Sequence, residues 1–217
     1  MEIYLDSANL SQIEHAVELG ILDGVTTNPT LIAKEGGDFE NIIRKISQVI
    51  KGKGKIWAEV ISTKSEAMVE EAIRMTGWAT GMVVKLPMGL EGIKAASILS
   101  REGIQTNMTL ISSVSQALLA AKAGVSYVSP YAGRVDDIGW SGSGLIQGIV
   151  EAFSAQGFAT KILAASVRSP HQAAELVRSG VDGITVPYGV LIGMAQHPMT
   201  DLGLDQFLKD WSEAGLQ

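Results

Sequence analysis

The sequence contains no cysteine, which excludes disulfide bonds and thiolate chemistry. This absence fits a reducing compartment, and we therefore expect a cytoplasmic protein. Basic residues are also few: 17 lysines and arginines stand against 23 acidic residues, for a formal net charge of -6, and they are dispersed along the chain. No basic face is therefore available for a nucleic-acid backbone, and we expect no nucleic-acid partner.

Long apolar runs and a targeting segment are missing as well. No stretch approaches the roughly 18 uninterrupted apolar residues of a membrane span, and residues 1–6 lack the basic region and apolar core of a signal peptide. We expect no membrane partner and no export. The three histidines, His15, His171 and His197, are too scattered to suggest a metal site. The sequence predicts neither a metal nor a cofactor.

What the sequence does have is apolar material for one core: 46% of its 217 residues are hydrophobic, which predicts a single domain over residues 1–217. Short apolar runs alternate with longer amphipathic segments, a pattern typical of repeated βα units. The predicted strands cover residues 3–5, 25–27, 56–61, 82–86, 105–110, 127–129, 162–165 and 184–186.

Eight βα units predict an α/β fold, a (β/α)8 TIM barrel that is compact for its class. A doubly wound open sheet is the alternative, but no glycine-rich phosphate turn follows the first strand. An additional C-terminal helix is predicted over residues 204–217, where Leu204, Phe207, Leu208 and Trp211 form an apolar stripe at helical spacing. The stripe packs either on a neighbouring subunit or on its own barrel.

Lys85 is a single cation at the end of the apolar run 81–84. Such a run predicts a buried parallel strand, in which an ammonium is unfavourable. Burial favours the neutral amine, a nucleophile that forms a Schiff base with a carbonyl group. The alternative is a strand-end lysine that reaches water or pairs with a carboxylate, and Lys85 alone favours this second interpretation.

Polar residues follow nearly every predicted strand. They are Asp6, Asn28, Glu59, Lys85, Asn107, Thr109, Ser129, Tyr131 and Ser166, with Arg134 and Arg168 close behind. Each alone could be a loop cap or a solvated strand end. Because catalytic groups of a TIM barrel come from the carboxyl ends of several strands, the whole set predicts a polar substrate pocket at one rim.

Seven segments in order resemble the small transaldolases and the related fructose-6-phosphate aldolases. They are DSAN (6–9), GVTTNP (24–29), AEV (58–60), VVKLP (83–87), TNMTL (106–110), SPYAGR (129–134) and AASVR (164–168). The resemblance covers essentially the whole chain. Each segment alone is moderately specific, and their joint order and spacing carry the resemblance.

The resemblance implies a class I, Schiff-base enzyme in which Lys85 attacks the ketone of a ketose phosphate. Glu59, acting through a water and helped by Thr109, would move protons during imine formation. Asp6 would take the hydroxyl proton during carbon–carbon cleavage, and Tyr131 would lie beside the catalytic water. No metal or cofactor is implied, because the protonated imine is the electron sink.

The resemblance also implies which residues bind substrate and how the chain assembles. The implied substrate-binding residues are Thr26, Asn28, Asn107, Ser129, Arg134, Ser166 and Arg168. The two arginines and Ser166 would bind the phosphate, since guanidinium groups bind phosphate oxygens in a bidentate way. Surface ion pairs are the alternative for both arginines. The family's use of a C-terminal helix between subunits implies a homo-oligomer, a pentamer or a decamer.

The sequence combines features of both branches of the family. Glu59, Asn107, Ser129 and Arg168 resemble the transaldolase pattern, whereas Tyr131 resembles the aldolases. We therefore expect a transaldolase that transfers a dihydroxyacetone unit between sugar phosphates, with a fructose-6-phosphate aldolase that releases free dihydroxyacetone as the alternative. A non-catalytic sugar-phosphate-binding barrel is the remote alternative.

Overall fold

Eight parallel strands form a closed barrel in the computed structural model, which describes residues 1–52 and 54–215. The strands are β1 (Glu2–Asp6), β2 (Gly24–Thr26), β3 (Lys55–Glu59), β4 (Met82–Pro87), β5 (Thr106–Ile111), β6 (Tyr127–Pro130), β7 (Lys161–Ala164) and β8 (Gly183–Val186). They follow one another around the barrel in chain order, and β1 pairs with both β2 and β8. The predicted TIM barrel is confirmed, and the open sheet is excluded.

Helices separate the strands and cover the outside of the barrel. They are α1 (Leu10–Glu18), α2 (Pro29–Glu35), α3 (Phe39–Val49), α4 (Ser65–Thr76), α5 (Leu90–Arg101), α6 (Val114–Lys122), α7 (Ala132–Asp137), α8 (Gly142–Gln156), α9 (Pro170–Arg178), α10 (Tyr188–Met194) and α11 (Pro198–Glu213). Their buried faces, such as Ile43 and Ile46 of α3, join one continuous apolar core with outward-facing strand residues such as Val25 and Val84.

The inside of the barrel holds a second, smaller apolar cluster. It consists of Tyr4, Trp57, Val83, Tyr127 and Leu163, which are at most 4% exposed and which we call the aromatic layer. The Trp57 ring packs edge-on against Tyr4 at 5.3 Å and against Tyr127 at 4.5 Å between ring centroids. Because strand side chains alternate, the residues two positions further along β1, β3 and β4 lie above this layer, on the same inner face.

Charged side chains close the opposite end of the barrel, below the aromatic layer. Lys55 Nζ and Lys161 Nζ donate to the Glu2 carboxylate at 3.3 and 3.2 Å, and Lys55 also donates to the Tyr127 hydroxyl. Burial raises the pKa of Glu2, but the hydrogen bonds and the charges of the two lysines outweigh it, and the pKa lies below its usual value. This end is therefore held together by ionic contacts.

Strand β3 is shorter than the sequence pattern predicts. The apolar residues continue to 61, but the strand ends at Glu59. The backbone N–H groups of Ile61 and Ser62 donate instead to the Glu71 carboxylate on α4, at 3.0 and 2.9 Å. The side chain of the following helix therefore turns the chain away from the barrel directly after Glu59, a contact that strand periodicity does not reveal.

The C-terminal helix α11 begins at Pro198, so the predicted start at residue 204 is wrong. Proline is favoured at the first helical position, and the His197 ring caps the helix by accepting from the Met199 N–H at 3.1 Å. Residues 216 and 217 of the predicted helix lie outside the described residues. The helix has no buried residue, and its exposed apolar side chains are Met199, Leu202, Leu204, Phe207, Leu208 and Trp211.

None of the described helices combines the length and the apolar character that crossing a bilayer requires.

Candidate active site

A cavity lies at the carboxyl ends of the strands, which we call the mouth of the barrel. Its lining residues are Asp6, Thr26, Asn28, Trp57, Lys85, Ser129, Tyr131, Arg134, Leu163, Ala165, Ser166, Val167, Arg168, Thr185 and Pro187. Nine of the twelve residues predicted as site residues are in this set. The structure therefore brings together side chains from strands and loops that are far apart in the sequence.

Lys85 lies inside the barrel at the bottom of this cavity and is 6% exposed. Its Nζ atom donates to the carbonyl oxygen of Thr27 at 2.9 Å and lies 3.5 Å from Glu59 Oε2. The register of β3 and β4 places Glu59 and Lys85 directly opposite each other. Lys85 thus does not reach out to solvent, and its amine is held beside a carboxylate at the edge of a polar cavity.

Two carboxyl groups lie near Lys85, the buried Glu59 and the partly buried Asp6, and their pKa values are both raised. Burial is the main cause for Glu59, and the nearby charge of Asp6 adds to it, while Lys85 and Arg134 act in the opposite direction. Burial also raises the pKa of Asp6, against the charge of Lys85 and a hydrogen bond from Thr26. Raised carboxyl pKa values are typical of groups that exchange protons during a reaction.

Three predicted site residues lie behind the cavity wall rather than in it. Glu59 contacts Lys85, Asn107 exchanges hydrogen bonds with Ser129 at 3.0 and 3.2 Å, and the Thr109 hydroxyl donates to the Tyr131 hydroxyl at 3.0 Å. Glu59 is 7% exposed, and Asn107 and Thr109 are fully buried. Each of the three therefore orients a side chain that does line the cavity.

Asn28 shows how one side chain serves both the fold and the cavity. Its Oδ1 caps α2 by accepting from the Leu31 N–H at 3.1 Å, and Pro29 follows at the first helical position. The cap fixes the amide orientation, so the two Nδ2 hydrogens are what Asn28 can offer a ligand.

The cationic side of the cavity is formed by Arg134 on α7 and Arg168 after β7. The Arg134 guanidinium lies over the Tyr131 ring, 4.9 Å from its centroid. The Arg168 Nη2 atom donates to Asp137 Oδ2 at 2.9 Å, in the surface ion pair that the sequence left open. Both partners are more than half exposed, so this pair is weak and leaves the guanidinium available to an anion.

Gly133 allows α7 to approach the loop that carries Ser166 and Arg168. The Gly133 N–H donates to the Ser166 carbonyl at 3.1 Å, and a Cβ atom at position 133 would lie 2.1 Å from that oxygen. Ser166 itself has a φ of 60°, a left-handed conformation that is uncommon outside glycine. The close backbone contact holds the loop of Ser166 and Arg168 against α7.

Sequence reasoning missed several lining residues: Trp57, Leu163, Ala165, Val167, Thr185 and Pro187. Trp57 was interpreted as packing, which is confirmed, but it also forms the cavity floor, and its Nε1 has no hydrogen-bond partner within the described chain. Thr185 stands between Ile184 and Val186 in an apolar run, the same anomaly that singled out Lys85. That signal could have found it.

The described residues, 1–52 and 54–215, contain no group of three histidine, aspartate or glutamate side chains arranged to hold a metal ion.

Comparison with known proteins decides the family. A family model described as Transaldolase/Fructose-6-phosphate aldolase matches residues 3–216. The chain belongs to this family. A protein named "Probable transaldolase" from Clostridium botulinum (strain Eklund 17B / Type B) is 51% identical over 211 residues, which are 97% of this chain and 98% of that protein.

Two further relatives carry the same name. The one from Lactiplantibacillus plantarum (strain ATCC BAA-793 / NCIMB 8826 / WCFS1) is 49% identical over 211 residues, 97% of this chain and 96% of its own length. The one from Clostridioides difficile (strain 630) is 48% identical over 217 residues, the whole of both chains. Membership in the transaldolase/fructose-6-phosphate aldolase family makes this protein an enzyme of the class I aldolase type.

Solved structures share the barrel at low sequence identity. A thiamine phosphate pyrophosphorylase from Pyrococcus furiosus superimposes with a TM-score of 0.62 at 17% identity, covering 86% of this chain and 85% of the other. A structure described as native KDPGal gives a TM-score of 0.58 at 15% identity, with 85% and 80% coverage. At these identities the likeness shows the fold alone.

Proposed function

We propose that this family member is a transaldolase that transfers a dihydroxyacetone unit between sugar phosphates through a Schiff base on Lys85. The observation that carries the proposal is the buried Lys85 amine, 3.5 Å from the Glu59 carboxylate and open to the polar cavity. Fructose 6-phosphate and sedoheptulose 7-phosphate would be donors, and erythrose 4-phosphate and glyceraldehyde 3-phosphate the acceptors.

The first stage is formation of the imine. The neutral Lys85 amine attacks the C2 carbonyl of the ketose, and the oxygen leaves as water once it has been protonated. Glu59 can carry these protons through a water, because burial raises its pKa and its carboxylate lies beside the amine. The buried hydroxyl of Thr109 would help to hold that water.

The second stage is carbon–carbon cleavage. Asp6 accepts the proton of the C4 hydroxyl, the C3–C4 bond breaks, and its electron pair moves into the protonated imine to give an enamine on Lys85. Glyceraldehyde 3-phosphate then leaves. A bound aldehyde acceptor reverses these steps: the enamine carbon attacks the new carbonyl, Asp6 returns the proton, and hydrolysis of the imine releases the product ketose. The burial and raised pKa of Asp6 support this role.

The two ends of the substrate meet different side chains. Arg134, Arg168 and Ser166 would bind the phosphate at the mouth, where two guanidinium groups and a hydroxyl face the cavity. Asn28, Ser129 and Thr26 would bind hydroxyl groups of the three-carbon unit deeper in the barrel, with Asn107 holding Ser129 in place. The two guanidinium groups at the mouth would therefore determine which end of the substrate stays outermost.

Product analysis tests the proposal. We expect the purified chain with fructose 6-phosphate and erythrose 4-phosphate to form sedoheptulose 7-phosphate and glyceraldehyde 3-phosphate, with little free dihydroxyacetone when the acceptor is omitted. Chromatography of the sugar products with and without acceptor measures all three. Absence of any cleavage product would leave a sugar-phosphate-binding barrel, and accumulation of dihydroxyacetone without acceptor would make the protein an aldolase.

A fructose-6-phosphate aldolase is the second candidate, and Tyr131 favours it. Its hydroxyl lies in the cavity wall and accepts a hydrogen bond from Thr109 at 3.0 Å. A phenol held in this way can orient a water for hydrolysis of the enamine-derived imine, which releases free dihydroxyacetone. The contact thus gives a physical reason for aldolase activity beside transfer.

Tyr131→Phe is expected to lower the release of dihydroxyacetone without acceptor by roughly 10-fold, the effect of one lost hydrogen bond to the reacting water. Transfer to erythrose 4-phosphate should change less, because the aldehyde rather than water captures the three-carbon enamine, and water is needed only later, to hydrolyse the product imine. Tyr188→Phe is the matched control. The Tyr188 hydroxyl lies 2.7 Å from His15 Nδ1, and Tyr188 does not line the cavity. Unchanged release in Tyr131→Phe would remove Tyr131 from the explanation.

We further propose that the chain is a homo-oligomer, a pentamer or a decamer, in which α11 packs on a neighbouring copy. The helix buries none of its own residues on the barrel and presents Phe207, Leu208 and Trp211 to solvent. Sixteen residues of amphipathic helix without a covered face would be marginal in isolation. A single monomeric species in sedimentation velocity at micromolar concentration would contradict this assembly.

A further inference from the structure

Thr185 of β8 is a buried polar residue that lines the cavity at the mouth of the barrel. It is 5% exposed, and its Oγ1 lies 2.6 Å from Oγ1 of Thr26 on β2. The Thr26 hydroxyl in turn donates to Asp6 Oδ1 at 2.8 Å. β1 lies between β8 and β2 in the barrel, so the contact between the two threonines joins the strands on either side of Asp6, and Thr26 is the one that contacts the carboxylate.

The direction of these hydrogen bonds follows from the chemistry of a hydroxyl group. Thr26 has one hydroxyl hydrogen, and it is given to Asp6, so Thr26 can only accept from Thr185. Thr185 therefore donates to Thr26, and Thr26 donates to Asp6. Each bond polarises the next, which strengthens the last one, and Oδ1 is held while Oδ2 remains for a substrate hydroxyl.

We propose that Thr185 is a positioning residue that acts through Thr26 to orient the Asp6 carboxylate and to favour its ionised form. The inference rests on the proposed function, in which Asp6 accepts the proton during carbon–carbon cleavage. Thr185 takes part neither in imine formation on Lys85 nor in binding of the phosphate. Its effect is therefore confined to cleavage and its reverse.

The other charges around Asp6 are unchanged by substitution of Thr185. Lys85 on β4 lowers the pKa of Asp6, and Glu59 on β3 is the neighbouring carboxylate, itself under the influence of Arg134. A hydrogen bond from Thr26 is the remaining stabiliser of the Asp6 carboxylate against burial. Loss of the Thr185 hydroxyl should weaken the hydrogen bond from Thr26 and so raise the pKa of Asp6 further.

The test compares Thr185→Val with Thr185→Ser and with a matched buried control. Valine keeps the shape and removes the hydroxyl, serine keeps the hydroxyl, and Thr185→Ala takes the place of valine if the valine variant does not fold. Thr106→Val is the control, because Thr106 is fully buried on β5 and its Oγ1 has no hydrogen-bond partner among the described residues. Each variant is assayed for kcat, KM and the pH profile of kcat/KM with fructose 6-phosphate and erythrose 4-phosphate.

We expect Thr185→Val to lower kcat by about 3- to 10-fold, the range of one hydrogen bond, with KM nearly unchanged. The acid limb of its pH profile should move to higher pH, borohydride trapping of the ketose on Lys85 should remain, and Thr185→Ser should restore both kcat and the profile. Thr106→Val should match the wild type.

Three results would overturn the inference. They are a wild-type acid limb in Thr185→Val, failure of Thr185→Ser to restore it, and an equal change in Thr106→Val. Failure of the proposed function is seen separately, because the wild-type chain would then give neither glyceraldehyde 3-phosphate nor a trapped adduct before any variant is compared.

Discussion

Lys85→Met is expected to abolish cleavage of fructose 6-phosphate and transfer to erythrose 4-phosphate. The loss should be on the order of 10⁵-fold or more, as when a covalent nucleophile is removed from an enzyme. Methionine has a similar length and fills the buried position without a nucleophilic amine. Borohydride reduction in the presence of the ketose, followed by mass spectrometry of peptides, measures the missing adduct directly.

Lys85→Arg separates the chemistry from the ion pair. Arginine keeps a cation beside Glu59 but forms no imine, so this variant should fold and remain as inactive as Lys85→Met. Lys94→Met is the matched control, because Lys94 lies exposed on α5 and pairs with Glu91 in a helix-surface contact at 2.8 Å. Lys85 is the only lysine among the described residues that line the cavity. Wild-type trapping in Lys85→Met would therefore place the Schiff base on a lysine outside this cavity.

Asp6→Asn is expected to lower kcat for cleavage by about 10²- to 10⁴-fold, the range of a lost general base. Asparagine keeps the shape and can still accept the Thr26 hydrogen bond through Oδ1, but it cannot take up the hydroxyl proton. Imine formation does not use Asp6, so trapping on Lys85 should persist. Loss of trapping would show that Asp6 acts in the first stage instead.

The same substitution should stabilise the fold in a pH-dependent way. Because burial raises the pKa of Asp6 in the folded state, its ionisation opposes folding. Below the unfolded-state pKa of about 3.9, the acid is protonated in both states and asparagine brings no advantage. As the pH rises through the folded pKa the wild type loses stability that Asp6→Asn retains.

Thermal unfolding of both proteins across pH 4 to 8 measures this difference, with Glu70→Gln on the exposed face of α4 as the control. A variant no more stable than the wild type at pH 8 would contradict it. The catalytic role proposed for Asp6 and the stability gain of its amide analogue thus have one physical origin, a carboxylate held where water is scarce.

The barrel and the centre of the site could be predicted from sequence because their signals are local. The alternating βα segments predict the strand order. The apolar residues directly before Lys85 are enough to predict that this lysine is buried. Strand ends were less accurate, since they depend on partners far along the chain. The Glu71 carboxylate that ends β3 is on the next helix, and nothing near Ile61 signals it.

Contacts across the barrel could not be predicted for the same reason. The Thr185 to Thr26 contact joins residues 159 positions apart, and the pairing of Arg168 with Asp137 rather than with a closer acid depends on the path of two loops. Ser166 carries no local mark of its left-handed backbone, which the contact with Gly133 explains. Each of these features requires the fold before it can be seen.

The aromatic layer determines where protons and deuterons from solvent can enter the active site. It closes the barrel below Lys85 with side chains that are at most 4% exposed, so solvent has no rear entrance to the cavity. Every proton that Glu59 or Asp6 exchanges with bulk water must pass the mouth, where the sugar phosphate itself would sit. A bound substrate therefore blocks the exchange of protons between the site and solvent. Deuterium from the solvent should enter the three-carbon unit chiefly after the aldehyde has left.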